Sequence, residues 1–358
     1  MISLLCFSHL GWNFVYQRPQ HLLSRFTSKY KVYYFEEPKP AEREAVLTEE
    51  KDGVVIVTLF YAENKGFDAG NIASLLDNFL AERHIDCYGI WYYTPMAVEY
   101  TSHLVPQFTV YDSMDELSKF RFAPPQLKEL EEELFRIADV VFTGGHSLYE
   151  AKKHRHHNIH PFPSSIDKEH FQQARTITDE PEDQRRIPHP RLGFYGVIDE
   201  RLDSQLISEA AYKRPDWHFV LIGPVVKISE KELPKAPNIH YLGQKSYQDL
   251  PIYAAGWDIA LIPFAMNEST EFISPTKTPE YLAAGLPVIS TPIQDVVNPY
   301  GRNRLVHIAE GADELIAAAE FELKNNKREE WVHKVDEFLR GSSWDDTFQK
   351  MSELIDNI

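Results

Sequence analysis

Cysteine is almost absent from this sequence. Its 358 residues include only Cys6 and Cys87, which is too few for a disulfide framework or for the clustered ligands of a zinc site. Cys6 lies within an apolar run and is interpreted as a small core residue. The scarcity of cysteine is typical of proteins in a reducing compartment, so a cytoplasmic location is expected.

Long apolar runs are also missing. No stretch reaches the ~18 consecutive apolar residues that a membrane-spanning helix needs. The opening MISLLCFSHLGW becomes polar too early to be a signal peptide. The sequence therefore predicts no membrane-spanning helix, although it leaves open a peripheral contact with the inner membrane surface.

Positive charge is scarce as well. Lysine and arginine total 37 against 54 aspartates and glutamates, which gives a formal net charge of −17. A nucleic acid partner is not expected, because binding to phosphates depends on a basic field. A local exception is the run KKHRHH at 152–157. It is either a solvated helix end or a contact for an anionic surface when its histidines are charged.

The chain does contain a regular alternation of strand-like and helix-like segments. Short apolar runs such as ISLLCFS and WHFVLIGP predict strands, and amphipathic runs such as QLKELEEELFRIA predict helices. The alternation stops in a stretch rich in proline and charge at 161–190 and then restarts. Because 358 residues exceed the size of a usual single core, the pattern predicts two domains. We expect an α/β fold of two Rossmann-like, doubly wound parallel-sheet domains facing a ligand cleft.

The clearest chemistry lies in residues 274–291, which read SPTKTPEYLAAGLPVIST. Thr278 suits a helix cap, Pro279 the first helical position and Gly285 the position after the last turn. A short helix of about two turns is therefore predicted.

Two charged side chains lie at the start of this predicted helix. Lys277 adds positive charge to a helix amino end, which already favours phosphate. Glu280 in the first turn can accept hydrogen bonds from two adjacent sugar hydroxyls. The pair is suited to a nucleoside diphosphate, with Lys277 on the phosphates and Glu280 on the ribose. The alternative is that Lys277 is solvated and Glu280 only complements the helix dipole.

This segment resembles the donor-binding segment of GT-B glycosyltransferases, in particular the family 1/4-like enzymes that build bacterial surface polysaccharides. The resemblance implies transfer of a sugar from a nucleoside-diphosphate sugar to a saccharide or lipid-linked acceptor, without a further cofactor. It implies that Pro275, Thr276, Lys277 and Glu280 bind the donor. Many relatives carry another glutamate eight positions before the ribose-binding one, but Phe272 stands there in this chain. The segment thus supports nucleotide binding better than it supports either retention or inversion.

Other segments resemble the same family in the expected order. SHLGWNFVYQRPQHLLSRF is similar to the amino-terminal loop and helix, and VVFTGGHSLYEAKK to the last strand of the first domain. RLGFYGVIDERLD is similar to the first strand of the donor domain, and SSWDDTFQKM to the closing helix. The resemblance implies an acceptor-side domain over 1–165, a connector over 166–190, a donor domain over 191–335 and a helix over 336–358 that crosses back to the first domain.

The resemblance also implies contacts to phosphate. Gly196 lies in the first loop of the donor domain, and Arg201 matches a basic residue that contacts the diphosphate in relatives; the alternative for Arg201 is a solvated helix start. His9, Gly11 and Arg18 are candidates in the loop where acceptor and donor phosphate meet, with a structural salt bridge as the alternative for Arg18. No Asp-x-Asp motif stands at a strand end, so no essential metal is predicted.

Glycosyl transfer needs a group that takes or stabilises the proton of the acceptor hydroxyl. The run VYDSMDEL places Asp112 and Asp115 at a strand end, where an acid acts as base in some inverting relatives. Asp115 is the first choice and Asp112 the second. Both acids also suit the cap and first turn of a following helix. His146, which follows a glycine pair, is a further candidate for a polar contact.

Aromatic residues end one of the predicted strands. Trp91, Tyr92 and Tyr93 could form the wall of an acceptor sugar site, since sugar rings present apolar faces. The alternative is ordinary core filling.

Two other functions stay open at this point. A nucleotide-sugar epimerase of the same fold would carry further paired acids or histidines around the sugar, and no such set is identified. A catalytically silent nucleotide-binding scaffold stays open because the first acid of the donor segment is missing. A dinucleotide oxidoreductase is not supported, because no Gly-x-Gly-x-x-Gly follows the first strand.

Overall fold

The computed structural model describes residues 2–325 and 327–358. They form two compact units. The first unit contains the chain up to Ser118 together with Phe122–Pro163 and Trp344–Ile358, and the second contains Lys119–Arg121 and Ser164–Ser343.

In the described part of the chain, the first unit is built on a nine-stranded sheet. The bounds of its strands are β1 Ser3–Phe7, β2 Lys31–Phe35, β3 Lys39–Ala41, β4 Ala45–Lys51, β5 Val54–Ala62, β6 Tyr88–Tyr92, β7 Thr109–Ser113, β8 Val140–Thr143 and β9 Ile159–Pro161. The order across the sheet is β3-β5-β2-β1-β6-β7-β8-β9, with parallel pairing throughout. Strand β4 is antiparallel to β5.

Helices cover the faces of this sheet. Their bounds are α1 Arg18–Phe26, α2 Ala69–Glu82, α3 Val98–Thr101, α4 Leu127–Ile137 and α5 His146–Lys152. Every residue of β1, β7 and β8 is buried, as expected for parallel strands covered on both faces. The chain leaves β1 toward β2 on one side and later enters β6 on the other. The carboxyl ends of β1 and β6 therefore border a topological switch point, where open α/β sheets bind ligands.

The second unit repeats this plan in the described residues with a six-stranded parallel sheet. Its strands are β10 Arg191–Tyr195, β11 His218–Ile222, β12 Ile239–Tyr241, β13 Ile259–Ile262, β14 Val288–Ser290 and β15 Val306–Ile308. Its helices are α6 Lys168–Gln172, α7 Glu182–Arg185, α8 Ser204–Lys213, α9 Leu250–Ala255, α10 Lys277–Ala283, α11 Gln294–Val296, α12 Ala312–Lys324 and α13 Arg328–Phe338. The order β12-β11-β10-β13-β14-β15 places the switch point between β10 and β13.

The final helix, α14 (Trp344–Asp356), belongs to the first unit and packs against α1. The Trp344 ring stacks on His21 at a centroid distance of 4.6 Å. Phe348 meets Phe26 edge-on at 4.9 Å. These contacts make the end of the chain part of the core of the first unit.

The predicted fold class is confirmed, since both units are α/β with a Rossmann-like parallel sheet. Three local predictions are wrong. No helix follows β7 directly, because residues 114–116 are irregular. Arg201 does not start a helix, since α8 begins at Ser204 with Asp203 as its cap. Thr278 is not a cap, because α10 already begins at Lys277.

No helix within residues 2–325 and 327–358 combines the length and the apolar composition needed to cross a membrane.

Candidate active site

The loop after β10 approaches the side chain of Lys277 very closely. Gly196 follows the last residue of β10 and has a φ of +143°. The backbone conformation favours glycine here, and a β-carbon would lie 2.4 Å from Cε of the flexible Lys277 side chain and would displace it. The same loop packs on Gly223, where a β-carbon would lie 1.8 Å from the Gly196 carbonyl oxygen. The switch point of the second sheet thus presents bare backbone beside a lysine.

Lys277 extends across this switch point. Its Nζ lies 5.6 Å from the ring centroid of Phe194 in β10 and 5.5 Å from that of Phe264, just after β13. Both rings are buried, and an ammonium group over an aromatic face is held by cation–π attraction. The lysine charge is therefore positioned at the carboxyl ends of the two strands that border the switch point.

Glu280 lies in the first turn of α10 and is buried. The Tyr195 hydroxyl donates a 2.7 Å hydrogen bond to Glu280 Oε2. Burial raises the pKa of Glu280 to about 7, and the Tyr195 hydrogen bond and the charge of Lys277 oppose this only in part. The carboxyl group therefore gains or loses its proton near neutral pH. Tyr195 was missed by sequence reasoning, although it directly precedes the predicted Gly196.

Arg201 lies further along the loop that begins at Gly196. Its Nε and Nη2 donate to the two carboxylate oxygens of Asp199 at 2.9 and 2.7 Å. Its guanidinium carbon lies 5.4 Å from the ring centroid of Phe120. This buried aspartate holds the arginine in one orientation, so a bound diphosphate would share Arg201 with Asp199.

The remaining predicted donor residues form the entry to α10. The backbone N–H of Glu280 donates to the carbonyl of Thr276 at 3.3 Å, and that of Thr278 donates to the carbonyl of Pro275 at 3.2 Å. The Ser164 hydroxyl donates to the carbonyl of Ser274 at 2.5 Å. These bonds fix the backbone that carries Lys277.

Phe272, where many relatives carry an acid, is half-buried just before this entry, and Glu271 beside it is exposed.

The amino-terminal loop of the first unit, which carries His9 and Gly11, is held by side chains from its neighbours. Glu36 Oε1 accepts a 2.9 Å hydrogen bond from the backbone N–H of Trp12. The Tyr34 hydroxyl donates to the carbonyl of Leu10 at 2.8 Å. The loop after β1 is therefore fixed by Tyr34 in β2 and by Glu36, which directly follows β2. Sequence reasoning missed Glu36, because only the parallel pairing of the strands brings it to this loop.

Arg18 and Asp112 form a buried ion pair. Arg18 Nε and Nη2 donate to the Asp112 carboxylate at 2.9 and 2.8 Å, and Nη1 donates to the carbonyl of Phe162 at 2.7 Å. Asp112 is 0% exposed. Burial raises the pKa of Asp112, while the charge of Arg18 acts in the opposite direction. This geometry favours the structural salt bridge for Arg18 and argues against Asp112 as a base.

Asp115 and His146 lie at the carboxyl edge of the same sheet. Asp115 is half-buried in the irregular segment after β7, and His146 is the exposed first residue of α5 after β8. Since β7 and β8 are neighbours, both side chains belong to one stretch of this edge. Asp115 lies before the short 3-10 helix Leu117–Lys119, so the first-turn alternative does not hold for this residue.

A buried charge network supports that stretch. Lys152, which is 2% exposed, donates to Glu131 at 2.5 Å and to the Ser113 hydroxyl at 3.3 Å. It also pairs with Glu116 at 2.9 Å. The hypothesis of a solvated helix end at 152–157 is therefore wrong for its first lysine, which is a core residue that anchors the segment around Asp115.

The predicted aromatic wall is core. Trp91, Tyr92 and Tyr93 are all buried, and the Trp91 ring contacts that of Phe26 at 5.1 Å. The core-filling alternative is confirmed for these residues.

Within residues 2–325 and 327–358, no cluster of three or more His, Cys, Asp or Glu side chains has an arrangement that could hold a metal ion.

Comparison with known proteins relates this site to a family. Residues 190–325 match the family described as Glycosyl transferases group 1. The matched range contains the sheet of the second unit together with Gly196, Arg201, Lys277 and Glu280.

The sequence is also similar to TuaH of Bacillus subtilis (strain 168), which has a provisional description as a teichuronic acid biosynthesis glycosyltransferase. The two are 27% identical over 251 residues. The match covers 66% of this chain and 60% of TuaH, so this chain matches less than two thirds of that relative's length.

Solved structures match over the whole chain. Sucrose-phosphate synthase of Thermosynechococcus elongatus superimposes with a TM-score of 0.71 at 14% identity, covering 100% of this chain and 99% of that one. HepE of Anabaena, solved with UDP and glucose, gives a TM-score of 0.71 at 13% identity and covers 100% of both chains. The chain has the GT-B fold. The predicted resemblance to GT-B glycosyltransferases is confirmed, and the Glycosyl transferases group 1 match contains the predicted donor segment.

Proposed function

We propose that the chain is a glycosyltransferase that moves a sugar from a nucleoside-diphosphate sugar to a saccharide or lipid-linked acceptor. The observation that carries the proposal is the convergence of Lys277 and Glu280 on the loop at Gly196. A cation, a buried acid and bare backbone at a sheet switch point match the phosphates and ribose of a nucleotide.

The donor is held by residues of the second unit. Lys277 neutralises the phosphates and the backbone at Gly196 allows them to approach closely, while Glu280 accepts hydrogen bonds from the ribose hydroxyls. Negative charge grows on the nucleoside diphosphate as it leaves, and a positioned cation lowers the energy of that transition state. We propose that Lys277 and Arg201 supply this charge without a metal ion.

Deprotonation of the acceptor is assigned to Asp115. Asp112 is excluded from this role in the proposal because its carboxylate is already bonded to Arg18. Asp115 is half-buried at the sheet edge, where a carboxylate can accept a proton from a hydroxyl. His146 and His9 are proposed as further polar contacts to the acceptor or the phosphate.

The biological setting is proposed from the relatives. TuaH is described in terms of teichuronic acid biosynthesis, and HepE was solved with UDP and glucose. We infer a role in cell-surface polysaccharide synthesis with a uridine or guanosine diphosphate donor. The reaction is placed in the cytoplasm, with peripheral contact at the inner membrane surface when the acceptor is lipid-linked.

Donor binding is tested by thermal shift with UDP and GDP. We expect one of them to raise the melting temperature of the wild type, and the shift to be lost in Lys277→Ala and in Glu280→Ala. Glu271→Ala is the matched control, since this exposed acid lies nearby in the sequence and should keep the shift. If no nucleoside diphosphate shifts the wild type, the donor site is wrong.

The base is tested by sugar transfer to a panel of acceptors, measured as release of nucleoside diphosphate. Asp115→Asn should lower turnover by about 10²–10⁴-fold while nucleotide binding is kept. Asp86→Asn, an exposed acid of the same unit, is the control. Near-normal turnover of Asp115→Asn would remove that residue from the role, and nucleotide binding without transfer to any acceptor would favour a silent scaffold.

A further inference from the structure

The first unit contains a cavity that the proposed mechanism has not used. Its volume is about 610 Å³. Ser8 follows β1 and Thr94 follows β6, and both line this cavity. It therefore lies at the switch point of the first sheet, the position where an open α/β sheet binds its ligand. Its size is that of a small-molecule site.

The walls of the cavity are largely aromatic and apolar. Phe67 is 46% exposed and meets Tyr61 edge-on at a centroid distance of 5.8 Å. Met96 and Tyr100 add further apolar surface to the lining. Aromatic faces of this kind pack against the apolar C–H faces of sugar rings.

The charges of the cavity have one sign. Glu37 and Glu99 line it, and no lysine, arginine or histidine is among the described residues that do. Burial raises the pKa of Glu37, and the charge of Lys39, which donates to Glu36 at 2.6 Å, acts in the opposite direction. Carboxylates accept hydrogen bonds from sugar hydroxyls but repel a phosphate or another carboxylate.

We propose that this cavity binds the acceptor at an end away from the hydroxyl that Asp115 deprotonates, and that it selects a saccharide whose bound end carries no negative charge. Glu37 and Glu99 accept hydrogen bonds from its hydroxyls, and Phe67 packs on its ring. Sugar phosphates are rejected by the two carboxylates. That the bound saccharide is the acceptor rests on the proposed function, but the selectivity of binding can be measured without a donor.

The test is saturation-transfer difference NMR on the full chain without nucleotide. The ligands are methyl β-D-glucopyranoside and N-acetylglucosamine, with glucose 6-phosphate as the anionic counterpart. We expect saturable binding of at least one uncharged sugar and about tenfold weaker binding of the phosphate. Equal or tighter binding of glucose 6-phosphate would overturn the proposal, as would the absence of saturable binding by every sugar.

Variants locate the binding. Phe67→Ala should weaken the binding of uncharged sugars by about five- to tenfold. The core should not be disturbed, because this ring is partly exposed. Val105→Ala, an apolar residue of the same unit that is 86% exposed, is the control and should change nothing. Sugar binding that survives Phe67→Ala unchanged would place the site elsewhere and contradict the proposal.

A gain of binding is the sharpest test of selectivity. Glu37→Lys combined with Glu99→Gln should improve the affinity for glucose 6-phosphate by about tenfold, with circular dichroism confirming the fold. No improvement in a folded variant would overturn the electrostatic argument. The two proposals fail separately. A missing nucleotide shift removes the donor site alone, whereas lost sugar selectivity with an intact nucleotide shift removes this inference alone.

Discussion

Two buried glutamates, one in each unit, have opposite electrostatic properties. Glu131 and Glu280 are each 5% exposed. Burial acts to raise the pKa of Glu131, but the charge and hydrogen bond of Lys152, with hydrogen bonds from Tyr111 and Arg155, outweigh it and lower that pKa. The charged form of this carboxylate is therefore stabilised by neighbouring protein groups.

Glu280 is not compensated in this way. Burial raises its pKa to about 7, because the Tyr195 hydroxyl and the charge of Lys277 only partly offset the loss of water. A buried acid that its own protein stabilises poorly is suited to a ligand that brings hydrogen-bond donors. The comparison shows that the surrounding groups, and not burial itself, decide whether the pKa of a buried glutamate rises or falls.

The largest expected effect comes from removing the cation that stabilises Glu131. Lys152→Met should destabilise the first unit by about 3–5 kcal/mol, because Glu131 and Glu116 lose their buried cation while the methionine stem keeps most of the packing. Urea unfolding measures the change. Lys153→Met is the control, since that lysine is exposed. An equal loss of unfolding free energy in the two variants would show that the buried network contributes no more stability than an exposed lysine.

The next effect concerns the pH dependence of the second unit. Native Glu280 keeps its proton up to about pH 7, whereas the unfolded residue loses it near 4.5. Between these values the native state binds more protons, so stability must fall as pH rises, by about 3 kcal/mol over the whole window. Urea unfolding from pH 4 to 8 should show this fall in the wild type relative to Glu280→Gln. A difference that does not vary with pH would mean that the pKa of Glu280 is the same in the native and unfolded states.

The smallest effect refines the assignment of partners. Tyr195→Phe removes the hydrogen bond to Glu280, so the pKa of Glu280 should rise further and the second unit should lose about 1 kcal/mol of stability. Carbon-13 NMR titration of the Glu280 carboxyl measures the pKa. Tyr253→Phe removes a comparable hydrogen bond to Asp183 and should leave that titration unchanged. An unmoved Glu280 pKa in Tyr195→Phe would assign its stabilisation to Lys277 alone.

Much of the fold is predictable because its strands are local and buried. Runs such as LLCF in β1 and FVLI in β11 are apolar throughout, as is typical of parallel strands covered on both faces. Strands β3 and β4 are not predicted, because β3 is only three residues long and AVLTEEK of β4 is mostly exposed. Their pairing with β5 is a tertiary property that no local pattern records.

The candidate site divides in the same way. Lys277 and Glu280 are predicted because they lie one turn apart on a single helix, so their spacing alone relates them. The partners of other candidates are distant in the sequence. Arg18 and Asp112 are 94 residues apart, and only the order of strands in the sheet brings them together. Asp112 was therefore a plausible base from the sequence, because the sequence does not show that this carboxylate forms an ion pair with Arg18.

Helix α14 has a consequence for the way the protein is made. Trp344, Met351 and Ile355 complete a core that also contains Leu22 and Phe26 of α1. A ribosome adds them only after the whole of Ser164–Ser343 has been synthesised. Because domains generally fold as they emerge, the second unit can finish folding before the first. Until α14 has been synthesised, the apolar face of α1 lacks its covering helix, so Leu22 and Phe26 stay uncovered on that side in the growing chain.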